Sequence, residues 1–155
     1  MVANIYLTDL PEVRNLFIQV FTQEPWNDRW ESEAYVDLYL QDLMGNPNSL
    51  CFGFYHDSQL IGLSLGSIYH WWQGKEYFIK EFCIAKSFQG QGIGKRFFGM
   101  IEQSLSAQGT HAIWLSTERD VPAFGFYKAL EFKEQANTVL LAKTVKKEIN
   151  EEKRS

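Results

Sequence analysis

Apolar residues recur three and four positions apart in several stretches of the chain, which is the spacing of a helix with one buried face. Asp9 precedes the first stretch as a candidate N-cap, Gly45 ends the second and Gly109 ends the third. The predicted helices cover residues 9–21, 31–46, 91–109 and 121–130.

Other stretches are short, rich in β-branched and aromatic residues, and bounded by turn residues, which is typical of strands. His56, Asp57 and Ser58 separate two of them and predict a hairpin. The predicted strands cover residues 4–8, 49–55, 59–69, 77–85, 111–117 and 138–145.

The elements follow one another in the order β-α-α-β-β-β-α-β-α-β. A run of hairpins before a β-α-β-α section predicts an α/β fold with a mixed sheet and helices on its faces. The connection from strand 77–85 to strand 111–117 should be a right-handed parallel crossover. We expect one domain over residues 1–144 and a charged, exposed tail over residues 145–155.

Composition and charge limit the classes of function that the chain can have. The chain has 155 residues, of which 45% are hydrophobic and 15% aromatic, so it has enough apolar side chains for one core. Its formal net charge of -4 argues against a nucleic-acid partner. The sequence lacks an apolar run that could span a membrane and lacks a signal peptide, so we expect a cytoplasmic protein without a membrane partner.

The cysteines and histidines do not form a motif. Cys51 and Cys83 each lie in an apolar run, which favours buried free thiols over a disulfide. Cys83 as a nucleophile would need an activated thiolate, and no histidine lies near it in sequence. No histidine or cysteine pair has the spacing of metal ligands, so we expect no metal.

Three alternate glycines, Gly90, Gly92 and Gly94, lie at the turn where strand 77–85 leads into the N-terminus of the following helix. Glycines at this place let a phosphate approach the unpaired N–H groups of a helix N-terminus, and Lys95 would add a positive charge. The alternative is a tight turn that needs glycine only for packing. The spacing fits neither the dinucleotide-binding fingerprint nor the P-loop.

A different pattern does fit. The sequence Gln89-Gly90-Gln91-Gly92-Ile93-Gly94 resembles the Q/R-x-x-G-x-G/A signature of the GNAT family of N-acetyltransferases, and residues 123–132 resemble the family's A-x-x-F-Y-x-x-x-G-F helix. Glu131 stands where the family usually has glycine, which predicts an altered turn. The resemblance implies the GNAT fold, with a mixed, mostly antiparallel central sheet and helices on both faces.

The resemblance also implies a co-substrate site for acetyl-CoA, with the pyrophosphate on the N–H groups around Gly92. The pantetheine would pair with the backbone of strand 77–85, whose N–H would also stabilise the acetyl oxygen. The residues implied for this site are Phe82, Cys83, Ile84, Gln89, Gly90, Gln91, Gly92, Ile93, Gly94 and Lys95.

Two residues are candidates for proton transfer in direct attack by an amine within a ternary complex. Tyr127 matches the tyrosine of the family and would protonate the departing thiolate; alternatively it is a packing residue. Glu81 alternates with apolar residues along its strand and would remove the amine proton through a water; alternatively it pairs with a Lys or Arg. A solvent relay without an essential base also stays open.

Segments rich in aromatic and acidic residues are candidates for the acceptor site. Trp26, Trp30, Tyr35 and Trp71 could bind a cation, although aromatic residues at helical spacing are often part of the core. With the acids at positions 28, 31, 33 and 37, they predict a small primary amine, cationic at neutral pH, as the second partner. A homodimer is left open.

We therefore expect an acetyl-CoA-dependent N-acetyltransferase. The rival hypothesis is a non-catalytic acyl-CoA-binding or regulatory module on the same fold, since a fold does not fix a function.

Overall fold

The computed structural model describes residues 1–146 and contains five strands and four α-helices, with short 3-10 turns before α1 and α3. In chain order the elements are β1 (Val2–Asn4), α1 (Leu10–Phe21), α2 (Glu33–Met44), β2 (Ser49–His56), β3 (Gln59–Trp71), β4 (Gly74–Ile84), α3 (Ile93–Ala107), β5 (Thr110–Leu115) and α4 (Pro122–Ala129).

The five strands form a single sheet in the order β1-β2-β3-β4-β5. β1 to β4 pair antiparallel with their neighbours, and β4 pairs parallel with β5 across the crossover that contains α3. The mixed, mostly antiparallel sheet predicted from the sequence is therefore confirmed.

Helices cover both faces of this sheet, as two adjacent residues of β4 demonstrate. Neighbouring side chains of a strand point to opposite faces. Glu81 reaches Tyr39 on α2, whereas the ring of Phe82 stacks on Phe97 of α3. α1 packs on the same face as α2, through contacts such as that between Phe17 and Tyr39.

The core fills the space between the sheet and these helices. Most of the apolar positions that predict α1 and α3 are buried, because each helix turns its apolar stripe to the sheet, but Met100 of α3 is exposed. Both cysteines are buried free thiols, as expected. The largest fully buried side chains are Tyr77, Phe17, Phe52, Phe97, Phe98, Leu40, Ile61, Leu63, Leu65, Ile101, Leu105 and Val13.

Two expectations about the ends of the chain need correction. The first strand comes earlier than expected, at Val2–Asn4 instead of residues 4–8. The closing strand predicted over residues 138–145 is not formed: this segment has no regular structure and is exposed. Its residue pattern favours a strand, but a strand also needs a pairing partner, which a local pattern does not supply. Most of the predicted tail, residues 147–155, lies outside the described residues.

Candidate active site

The end of β4 leaves one edge of the strand unpaired. β4 pairs with β5 from Lys75 to Ile79, where Ile79 lies opposite Leu115. Beyond Ile79, pairing of β4 continues only with β3, as far as Ile84, after a bulge near Lys80. Within the described residues, the backbone groups of β4 that face the gap towards β5 are thus open to an extended ligand.

The glycine turn lies directly after this open edge. Gly90 and Gly92 both have a φ of +76°, a left-handed conformation that favours glycine, and an added Cβ would meet nothing within 4 Å at either position. Gly92 is the N-cap of α3 and provides no side-chain cap. The first N–H groups of α3 are therefore accessible, and the turn fits an anionic group such as a phosphate.

The other residues of the turn hold it in place. Gln89 donates a hydrogen bond from Nε2 to the carbonyl of Ile84 at 2.8 Å, which ties the turn to the end of β4. Gln91 donates to the carbonyl of Ser87 at 3.1 Å. Gly94 differs from the other two glycines, because a Cβ there would lie 3.1 Å from the ring of Phe126. Packing of α4 on α3 accounts for this glycine.

Tyr127 lies on α4 beside the gap between β4 and β5. Its ring is 8% exposed and packs against Phe82, Phe126 and Phe132. Burial raises the pKa of the phenol above its ordinary value, and Cys83 and Glu81 raise it further. The Oη atom makes no hydrogen bond within residues 1–146, so a protonated O–H is free to donate to a ligand.

Glu81 lies on the opposite face of β4 from Phe82 and is held by Tyr39, an aromatic residue of the candidate acceptor segments whose pairing with Glu81 the sequence did not predict. Tyr39 Oη donates a hydrogen bond of 2.7 Å to Glu81 Oε1. Burial raises the pKa of the Glu81 carboxyl, while the hydrogen bond from Tyr39 and the charge of Lys80 lower it and Asp28 raises it. The sequence signal for Tyr39 is its position one helical turn after Tyr35, on the same side of α2.

Cys83 is buried close to both Glu81 and Tyr127. Burial raises the pKa of its thiol, and the nearby Glu81 raises it further. A thiol of this kind stays protonated at neutral pH and is a poor nucleophile. The geometry thus favours the packing role for Cys83, with its backbone on the open edge of β4.

Three of the four aromatic residues expected at the acceptor site belong to a cluster of rings that also contains Tyr39, the hydrogen-bond partner of Glu81. The ring of Trp30 lies 5.3 Å from that of Tyr39 and 6.2 Å from that of Tyr35, and Trp26 packs on Phe21 nearby. Trp71 is not part of this cluster. It lies at the far end of the β3–β4 hairpin, opposite Gly74, about 20 Å along the strand from the residue that pairs with Glu81.

The acidic residues near this cluster separate into two groups. Arg14 on α1 pairs with Glu33 at 2.9 Å and with Asp37 at 3.1 Å, so its single positive charge offsets part of the negative charge of these two acids. Asp28 behaves differently. It raises the pKa values of both Tyr39 and Glu81, so its charge acts on the site that these two residues form. The sequence alone could not separate these acids, because it does not tell which of them would pair with Arg14.

Comparison of the chain with known proteins identifies its family. A profile of the acetyltransferase (GNAT) family matches residues 10–132. No curated protein matches the chain.

Solved structures support the fold over nearly the whole chain. An aminoglycoside acetyltransferase from an uncultured soil metagenomic sample, solved with sisomicin, is 19% identical with a TM-score of 0.72, over 94% of this chain and 96% of that one. The aminoglycoside acetyltransferase AAC(6')-Iy, solved with the bisubstrate analogue CoA-S-monomethyl-acetylneamine, is 17% identical with a TM-score of 0.70, over 94% and 98%. A ribosomal-protein-alanine N-acetyltransferase from Brucella melitensis biovar Abortus 2308 is 15% identical with a TM-score of 0.72, over 92% and 97%.

The fold and the open end of β4 define an α/β domain with a site for an extended ligand. The chain belongs to the GNAT acetyltransferase family and is an N-acetyltransferase, as the motif at residues 89–94 predicts. The family uses acetyl-CoA as its acyl donor. No helix within residues 1–146 is long and apolar enough to cross a membrane.

Proposed function

We propose that this protein transfers the acetyl group of acetyl-CoA to a primary amine of a small cationic acceptor, by direct attack within a ternary complex. The observation that carries the proposal is the unpaired edge of β4 after Ile79, which runs into the glycine turn and lies close to both Tyr127 and Glu81. A donor bound along this edge would meet a candidate acid and a candidate base at its reactive end.

The donor site uses backbone groups of the chain more than side chains. The N–H groups from Gln91 to Lys95 would bind the pyrophosphate, and Gly92 leaves that approach open. The backbone of Phe82 to Ile84 would pair with the pantetheine as an added strand, and one of its N–H groups would stabilise the acetyl oxygen. The side chain of Phe82 meanwhile stays in the aromatic core.

The two titratable residues would divide the proton transfers. Glu81 would take the proton of the ammonium group through a water, and its raised pKa brings it nearer to neutral pH than an ordinary carboxylate. Tyr127 would donate its proton to the departing thiolate, since its O–H is free and its raised pKa keeps it protonated. The amine nitrogen forms a bond to the acetyl carbon while the bond from that carbon to sulfur breaks.

The acceptor would bind where carboxylates meet aromatic rings. Glu81 and Asp28 supply negative charge, and Trp30 supplies an aromatic face within the same cluster. Two of the three solved structures described above are aminoglycoside acetyltransferases, and aminoglycosides are polycationic amines. A small polyamine or aminosugar is the acceptor class that fits this arrangement.

Measurement of thiol release tests the proposal. The protein is mixed with acetyl-CoA and a panel of aminoglycosides, polyamines, amino acids and peptide N-termini. We expect acetyl-CoA to raise the melting temperature and at least one cationic small amine to give turnover. If acetyl-CoA binds but no amine in the panel accelerates thiol release, the non-catalytic binding module is the better description.

A further inference from the structure

Lys80 lies where β4 and β5 separate. Pairing between these strands ends at Ile79, which lies opposite Leu115, so Lys80 is the first residue of β4 beyond the last pair. It is also the extra residue of the bulge in the β3–β4 ladder, because the residues before and after it pair with adjacent residues of β3. Within residues 1–146, Lys80 thus pairs with neither neighbouring strand.

The side chain of Lys80 is exposed, and its ammonium group makes no hydrogen bond or ion pair within the described chain. Lys75 on the same strand is held differently, since it donates a hydrogen bond to the carbonyl of Gln108 at 2.8 Å. A lysine carries its charge on a flexible four-carbon stem. The amine of Lys80 can therefore move through the space around the gap between β4 and β5.

The proposed donor site leads from the glycine turn towards Lys80. The turn would hold the pyrophosphate, and the pantetheine would run back along β4 from Ile84 to Phe82. The thioester comes next, at the level of Glu81. With a rise of about 3.3 Å per residue, Lys80 lies about 7 Å from Phe82 along the strand, a distance comparable to the length of a lysine side chain. Lys80 and Tyr127 also line the same cleft.

The charge of Lys80 acts on Glu81. Burial raises the pKa of the Glu81 carboxyl, and the charge of Lys80 is one of two effects that lower it, together with the hydrogen bond from Tyr39. Asp28 acts in the opposite direction to Lys80. Glu81 is therefore placed to receive a proton from the ammonium group of Lys80 through water, as it would from an external amine.

We propose that Lys80 is acetylated by the acetyl-CoA bound to the same chain when no acceptor is present. The inference rests on the proposed function, because it needs the donor along β4. After Lys80 Nζ loses a proton to Glu81 through a water, it attacks the acetyl carbon, and the new N–C bond forms as the bond from that carbon to sulfur breaks. The departing thiolate takes a proton from Tyr127. The nitrogen loses two protons in all, of which one restores Tyr127 and the other goes to solvent.

Peptide mass spectrometry of the full chain, incubated with acetyl-CoA alone, tests the modification. We expect Lys80 to gain an acetyl group at least about tenfold faster than the exposed Lys86 and Lys133, at a rate per molecule that does not depend on protein concentration. Gly92→Val should reduce Lys80 to the background rate, whereas Gly109→Val should not. A background rate at Lys80 in the parent, a rate proportional to protein concentration, or equal modification in both glycine variants overturns the proposal.

Turnover of the amine panel is measured separately, so that the two proposals can fail independently. Acetylation of amines without acetylation of Lys80 contradicts only the modification of Lys80. Acetylation of Lys80 without turnover of any amine supports the modification and contradicts the small-molecule acceptor.

Disulfide exchange tests the position of Lys80 without acetyl transfer. The Lys80→Cys variant is mixed with the disulfide of CoA, and its new thiolate attacks that disulfide, forms a mixed disulfide with one CoA and releases the other as a thiol. We expect the mixed disulfide to form faster than in Lys86→Cys and Lys133→Cys, above the background of the buried Cys51 and Cys83. Equal rates in the three variants would place the sulfur of CoA away from Lys80 and overturn the proposal.

Acetylation would also remove a positive charge beside the proposed acceptor site. Lys80→Gln resembles acetyl-lysine, whereas Lys80→Arg keeps the charge and cannot form acetyl-lysine. We expect KM for a cationic amine to be lower in Lys80→Gln than in Lys80→Arg by up to about fivefold, the scale of an exposed charge interaction, with no difference for an uncharged amine. Equal KM values for the cationic amine would overturn this effect of the modification on the acceptor.

Discussion

Tyr39 on α2 donates a hydrogen bond of 2.7 Å to the carboxylate of Glu81 on β4. This bond favours the ionised carboxylate, whereas burial of Glu81 favours the neutral form, and burial has the larger effect on the pKa. The pair therefore sets the pH range in which Glu81 could act as a base. It also connects the helix of the proposed acceptor site to the strand of the proposed donor site.

Tyr39→Phe should move the acidic limb of the pH profile of kcat/KM to higher pH. The change removes the hydrogen bond that lowers the pKa of Glu81. Burial, which raises this pKa, then has less to oppose it, so the pKa should rise. Tyr35→Phe is the control, because Tyr35 lies one turn away on α2, is exposed and does not contact Glu81. An acidic limb at the same pH in both variants would show that Glu81 does not govern it.

Glu81→Gln should flatten the same limb and also change how stability depends on pH. Because the folded-state pKa of Glu81 is raised, the folded protein binds more protons than the unfolded chain above the ordinary carboxyl pKa. Stability of the parent therefore falls as pH rises through the folded-state pKa. In urea denaturation, the free energy of unfolding of the variant minus that of the parent should therefore increase from about pH 4 to about pH 8. The exposed Glu12→Gln should show no such gain.

Tyr127→Phe should lower kcat by about 100- to 10,000-fold, the range typical of general acid catalysis. The ring and its contacts with Phe82 and Phe132 remain, so affinity for acetyl-CoA should change little. Single-turnover kinetics isolates the chemical step, and Tyr69→Phe on β3 serves as the control. An unchanged rate of the chemical step would assign Tyr127 to packing.

Gly92→Val should abolish binding of CoA at concentrations where the parent is saturated. The added methyl groups would occupy the open space in front of the first N–H groups of α3. A positive φ makes valine costly in itself, by about 1–2 kcal/mol. Gly109→Val is a matched control, because Gly109 has a φ of +80°, an equally open surrounding and a place at the other end of α3.

Calorimetric titration and melting temperature together separate the two effects. Both glycine variants should lose similar stability, but only Gly92→Val should lose CoA binding. If both variants bind CoA as the parent does, the turn at residues 89–95 is not the donor site.

Local patterns predict most of the strands and helices and the position of the glycine turn, because the spacing of apolar residues and the positions of glycines are local properties. Glu131 is a further example: its place in the motif is usually glycine, and its φ of +70° is the reason. Contacts between elements that are distant in sequence could not be predicted in this way. The Tyr39–Glu81 bond joins residues 42 positions apart, and the pairing of Arg14 with Asp37 joins residues 23 apart. The prediction of a closing strand over residues 138–145 was wrong for the same reason. The residue pattern of this segment favours a strand but does not tell whether another strand is available to pair with it.

Asp28→Asn should raise KM for the amine acceptor by about tenfold, which corresponds to about 1.4 kcal/mol of binding free energy. Asp28 acts on the same site as Glu81 and Tyr39, so loss of its charge weakens attraction of an ammonium group there. Asp37→Asn is the control. Asp37 is ion-paired with Arg14 and, unlike Asp28, is not among the charges that shift the pKa of Tyr39 or Glu81, so we expect a change in KM of at most about twofold.

Ionic strength tests the same attraction without mutation. When salt rises from about 0.05 to about 0.3 M, the Debye length shortens from about 14 to about 6 Å. The net charge of -4 and the charge of Asp28 are then screened, so KM for a cationic amine should rise in the parent. The rise should be smaller in Asp28→Asn, and absent for a weakly basic amine that is uncharged at the assay pH. Equal salt dependence for charged and uncharged amines would contradict the cationic acceptor and leave acetyl transfer itself unaffected.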